Sequence, residues 1–89
     1  MEDEGSADDP IEQMTELVGY IARQLVDEPD AVRVAPIESD RNVVFELTVA
    51  GADLGKVIGK DGRTARAIRT LLAATSAKLH KRAVLDILE

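Results

Sequence analysis

Cysteine is absent from the sequence, so no disulfide can staple the chain and no thiolate is available as nucleophile, redox group or metal ligand. Such a chain suits a reducing cytosol. Aromatic residues are almost absent as well, Tyr20 and Phe45 being the only two. An aliphatic core is therefore expected, and a ligand site built on stacked aromatic rings is disfavoured. The single histidine, His80, has no Cys or second His with which to share a metal and reads as a surface residue. No apolar run approaches the roughly 20 residues that span a bilayer, and the first residues are acidic where a secretory leader is basic. Both features point to a cytoplasmic protein without a membrane partner, and nothing in the composition calls for a cofactor.

What remains is a chain of 89 residues, 45% hydrophobic, enough for one small domain with a modest core. Its net charge of -6 is unevenly spread. Residues 1–30 carry ten acidic side chains and one basic, whereas residues 53–89 carry eight basic and four acidic. A chain of this kind has one surface suited to polyanions and another that repels them. Residues 1–9 have almost no apolar content and are expected to stay disordered as an acidic tail, with a single domain over residues 10–89.

The hydrophobic periods give the elements. Asp9 and Pro10 supply a cap and a first helical position, and Ile11, Met14, Val18, Ile21 and Leu25, with Leu17 beside them, mark an amphipathic helix that stops before Pro29. Its outer side is acidic, so the apolar stripe is core and not a membrane face. Val32 and Val34 begin a strand that Pro36 confines to a sheet edge or bulge. Val43, Phe45, Leu47 and Val49 then alternate as a second strand, expected to form a hairpin with the first. Asp53 is placed to cap a short helix over 54–58, a longer helix follows from about residue 63 to 75 with Ile68, Leu71, Leu72 and Thr75 inward, and residues 83–88 form a last strand. For that strand Ala83, Leu85 and Ile87 compete with Val84 and Leu88 for the buried face. Glu46 and Asp86 fall in strands, but no nucleophile accompanies them, and no catalytic residue is assigned.

Chemistry concentrates between the two later helices. Gly59 and Gly62 bracket Lys60 and Asp61, so main-chain N–H groups at a helix start are open to a phosphate without obstruction by a Cβ. Lys56, Lys60, Arg63, Arg66 and Arg69 surround the loop and only Asp61 opposes them. The loop is not a Walker A motif, because Leu54 stands where its first Gly belongs and Asp61 follows Lys60. Nor is it a dinucleotide fingerprint, because position 57 is Val.

Val57-Ile58-Gly59-Lys60-Asp61-Gly62, followed by an Arg-bearing amphipathic helix, resembles the signature of KH domains. The element order resembles the type II, prokaryotic-type KH fold, an α+β domain of order αββααβ with a three-stranded sheet packed on helices. Residues 25–32, 55–64 and 67–70 are similar to the KhpA family of small stand-alone bacterial KH proteins, and the resemblance spans about residues 11–88. It implies a non-enzymatic protein that binds single-stranded RNA, an RNA chaperone or post-transcriptional regulator whose loop clamps about four nucleotides. It also implies a homodimer, or a heterodimer with a KhpB-like multidomain KH protein. The alternative is a protein-interaction or ribosome-assembly adaptor in which RNA is secondary. Transferred onto this chain, Gly59, Lys60, Asp61 and Gly62 form the loop, Lys60 and Arg63 meet phosphates, and Ile58 and Ile68 make the apolar side of a base groove. Lys56, Arg66 and Arg69 complete the candidate RNA-binding set. Asp61 is expected to turn away from the RNA or to cap the following helix.

Overall fold

The computed structural model describes residues 9–89, so the expected acidic tail, Asp9 apart, lies outside the described residues. Helix α1 covers Pro10–Leu25, strand β1 Arg33–Glu38, strand β2 Asn42–Thr48, helix α2 Leu54–Ile58, helix α3 Arg63–Thr75 and strand β3 Arg82–Ile87. This is the αββααβ order expected from the periodicity. Asp9 caps α1 by accepting the Ile11 N–H at 3.0 Å, which satisfies one of the helix's free N-terminal donors.

The sheet order is β1-β2-β3, with β1 antiparallel and β3 parallel to β2. Parallel pairing requires a crossover, and α2 and α3 supply it. Pro36 lies inside β1, opposite Phe45, and is tolerated because β1 has a neighbour on one side only. Val43, Phe45, Leu47 and Val49 are all buried as their alternation predicts, and Leu85 joins them from β3. Because Ala83 and Ile87 share the face of Leu85 and are partly buried against the core, the open choice on the last strand falls to 83, 85 and 87.

The helices pack their apolar stripes on one face of this sheet. From α1 come Met14, Val18 and Ala22, and from α3 come Ala65, Ile68 and Leu72. Each stripe is narrower than its sequence suggests: Leu17 is 36% exposed and Leu71 47%. Both lie on the flanks, because each is one residue, about 100° around the helix, from a fully buried neighbour, Val18 or Leu72. The inward place expected of Leu71 is thus corrected. No helix among the described residues is long and apolar enough to cross a membrane.

Candidate nucleic-acid interface

The five residues of α2 end where Gly59 adopts φ 79°, ψ 169°, a region essentially reserved for glycine. Its N–H donates to the Gly55 carbonyl at 2.8 Å, closing α2, and its own carbonyl accepts from Gly62 N–H at 3.0 Å. A Cβ on Gly59 would lie 2.8 Å from the backbone nitrogen of Thr64. Gly62, at φ 74°, ψ 14°, is left-handed but faces open space, the nearest atom to a Cβ being an Arg66 guanidinium nitrogen at 4.0 Å. The first glycine is required by packing and the second by backbone angle.

Asp61 is explained by the same geometry. Its φ of 55° and ψ of 26° place it in the left-handed region, which Asp and Asn tolerate better than most residues. It does not cap α3: Gly62 is the residue at that position, with no side-chain cap bond. The Asp61 carbonyl instead accepts from the Arg66 guanidinium at 3.3 Å, which stiffens the turn from the α3 side. The N–H groups of Lys60 and Asp61 have no acceptor among the described residues. Together with the N-terminus of α3 they present donors and partial positive charge in one place.

The cations divide into two groups. Lys60, Arg63, Arg66 and Arg69 are exposed along the loop and α3. Arg66, Arg69 and Ala73 follow one side of α3, with Ser76 in line just past its end, and the last three face Arg82, Ala83, Val84 and Leu85 of β3 across a groove of about 340 Å³. Arg82 was not singled out from the sequence. It lies thirteen positions after Arg69 in sequence, and only the crossover of α3 onto β3 brings them to one groove. On its far side β3 has no strand neighbour. A second groove of about 270 Å³, lined by Pro10, Gln13, Met14, Leu17, Thr75 and Lys78, lies at the opposite end of α3 from the glycine loop.

Lys56 is exposed too but stands apart from these cations by its partners. Its ammonium lies 3.3 Å from Asp27 and 3.4 Å from Asp53, so two carboxylates already answer its charge. Hydrogen bonding to Asp27, then to Asp53, raises its pKa above the usual 10.5 despite some loss of hydration. Asp53 is the one buried charged residue among the described residues, 2% exposed. It was expected to cap α2, but no such bond forms. Its carboxylate reaches back to the α1–β1 connection and accepts the Glu28 N–H at 3.0 Å. Burial pushes its pKa up, but the N–H groups of Asp27 and Glu28 and the Lys56 ammonium outweigh burial and hold it below 3.8.

Two further expectations separate here. Ile58 is half-buried beside the loop and remains available to a groove wall, whereas Ile68 is 2% exposed inside the core and offers a ligand no surface. Ile68 and Leu72, one turn apart, both belong to the buried core; the groove's apolar lining includes Ala73, Ala83 and Val84 instead. Glu46 and Asp86 are register partners on β2 and β3, on the sheet face away from the helices. Among the described residues no group of three or more His, Cys, Asp or Glu is gathered as a metal site.

Known proteins of similar sequence give the chain its relatives. The family model described as the KH domain of KhpA and KhpB matches residues 15–87. "RNA-binding protein KhpA" of Aquifex aeolicus is 54% identical over 76 residues, covering 85% of this chain and 96% of that protein. The protein of the same name from Caldanaerobacter subterraneus is 52% identical over 75 residues, 84% of this chain and 100% of that one. The one from Chlamydia pneumoniae is 43% identical over 76 residues, with 85% and 97% covered. No solved structure matches.

Proposed function

The chain belongs to the KhpA/KhpB family of KH domains, and from that premise we propose that it binds single-stranded RNA and acts as an RNA chaperone or post-transcriptional regulator in the cytoplasm. The observation that carries the reading is the loop at 59–62, where two free N–H groups, a helix N-terminus and the exposed Lys60 and Arg63 meet beside glycines that leave room for a backbone. One or two phosphates sit on that loop, and the strand runs on between α3 and β3, past Arg66, Arg69 and Arg82. Bases then lie against aliphatic and alanine side chains, in keeping with the shortage of aromatic rings. The stretch held is about four nucleotides.

So short a contact is weak alone. A second KH domain, from another copy of the chain or from a KhpB-like partner, raises the effective RNA-binding concentration without new contacts. The exposed Leu17, Tyr20 and Leu71 also favour a second reading, a protein-interaction adaptor in which RNA is secondary.

Lys60→Asp separates the two. Lys60 is exposed, so the fold survives, while two adjacent carboxylates now stand where phosphate is bound. RNA affinity is expected to fall at least about tenfold near 0.1 M salt, with loss of RNA cross-linking in cells and an unchanged melting temperature. Unchanged cross-linking with lost protein partners favours the adaptor. Asp61→Asn tests the same surface in the other direction: Asn tolerates the left-handed backbone and removes the opposing charge. Affinity should rise about two- to threefold at low salt, and the gain should vanish at high salt. A gain that persists at high salt would show that charge is not its cause.

A further inference from the structure

We propose that Asp27, Lys56 and Asp53 form a clasp that positions the glycine loop for RNA, and that Lys56 serves in this clasp and is not itself a phosphate contact. The inference rests on the RNA reading above and adds to it the element that holds the loop in place.

Helix α2 is five residues long, far below the length at which a helix holds itself. Of its side chains only Val57 is fully buried, with Leu54 and Ile58 partly so. Its orientation therefore depends on what ties its ends. At the far end the Gly59 N–H is bonded to Gly55, so the loop follows any tilt of α2. At the near end stands Asp53, buried and yet not used to cap the helix it precedes. A buried carboxylate is costly unless its charge is answered. Here the answering groups are the Glu28 N–H, twenty-five residues away in sequence, and Lys56, one turn along α2. Lys56 in turn reaches Asp27 in the same connection. Two carboxylates flank one ammonium, so the cluster is negative overall and a phosphate gains little there. The same three side chains join the end of α1 to the short helix that carries the loop.

The test is binding of a fluorescently labelled pool of single-stranded RNA octamers, followed by anisotropy across a salt series at a temperature where every variant is folded. Lys60→Met should reduce the slope of log affinity against log salt by about 0.7, the share of one phosphate contact on a single strand. Lys56→Met should weaken binding with the slope unchanged. Asp53→Asn should weaken it about five- to tenfold, again at unchanged slope. Met14→Ala is the stability control, since Met14 lies in the core beside Thr75, about 18 Å along α3 from the loop. It should lower the melting temperature and leave affinity as it was. Amide exchange without RNA at Gly59 and Gly62, whose N–H groups are bonded to the Gly55 and Gly59 carbonyls, should quicken in the clasp variants and not in Met14→Ala. Should Asp53→Asn fail to fold, Asp27→Asn, whose side chain is 79% exposed, carries the same expectation in weaker form. A slope reduced by about 0.7 in Lys56→Met overturns the proposal, and so do wild-type affinity and exchange in the clasp variants, or equal effects from Met14→Ala. If Lys60→Met itself leaves the slope untouched, the RNA reading fails instead.

Discussion

Gly59→Ala is expected to lower the melting temperature by roughly 15–30 °C and to abolish RNA binding even where the variant is still folded. The angles at Gly59, φ 79° and ψ 169°, belong to a region that side-chain-bearing residues scarcely enter, at a cost of about 1–3 kcal/mol. The added Cβ also meets the backbone nitrogen of Thr64 at 2.8 Å, and a backbone atom at the start of α3 cannot rotate away as a side chain does. Together the two effects amount to about 3–5 kcal/mol, a large part of the stability of a domain this small. Relief comes only by shifting α2 against α3, which moves the N–H groups that face the phosphate. Gly62→Ala makes the contrast. It meets open space, so only the left-handed angle is penalised, about 1–2 kcal/mol, and the methyl group stands where a phosphate would approach. Thermal melting of the two variants checks this, and a Gly59→Ala protein that melts within a few degrees of the parent would refute the described loop.

Reversing charge in the groove should have the second large effect. Arg69→Glu combined with Arg82→Glu is expected to weaken RNA binding about a hundredfold near 0.1 M salt while leaving the melting temperature almost unchanged. Both side chains are exposed, and neither has an ion-pair partner among the described residues, so folding has little to lose. What changes is the path of the strand once it leaves the loop. If it runs between α3 and β3, two attractive charges become two repulsive ones along it. Each single reversal should account for roughly half of the effect in free energy, since the two guanidinium groups act on different phosphates. Binding assays of the two singles and the double provide the check. Full affinity in the double variant would mean that the strand departs from Gly62 in another direction.

The sites of these substitutions were not equally visible beforehand. The glycine loop was legible because its requirements are local: a helix must end, the chain must turn, and donors must be left open within four residues. Arg82 was not, because its importance arises from a neighbour thirteen residues away. Asp61 looked like an electrostatic liability in the sequence, and it becomes intelligible only with its backbone angles known. Left-handed geometry selects Asp there for reasons unrelated to the ligand.

The sequence by itself determined the order of elements, the cap at Asp9, the inward face of β2 and the position of the loop. Periodicity, turn chemistry and capping act over a few residues, and a reader of the chain has all of that information. The tertiary structure alone decided which flank of each apolar stripe is covered. It kept Ile68 on the inward side that periodicity gave it but left Leu17 and Leu71 outside, because the direction from which the sheet approaches a helix is no property of that helix. It also decided the fate of individual charges. Lys56 and Asp53 have the same neighbours in sequence as a phosphate ligand and a helix cap would have. What redirected them is the docking of α2 against the connection at residues 27 and 28, where a buried carboxylate must find its partners across space.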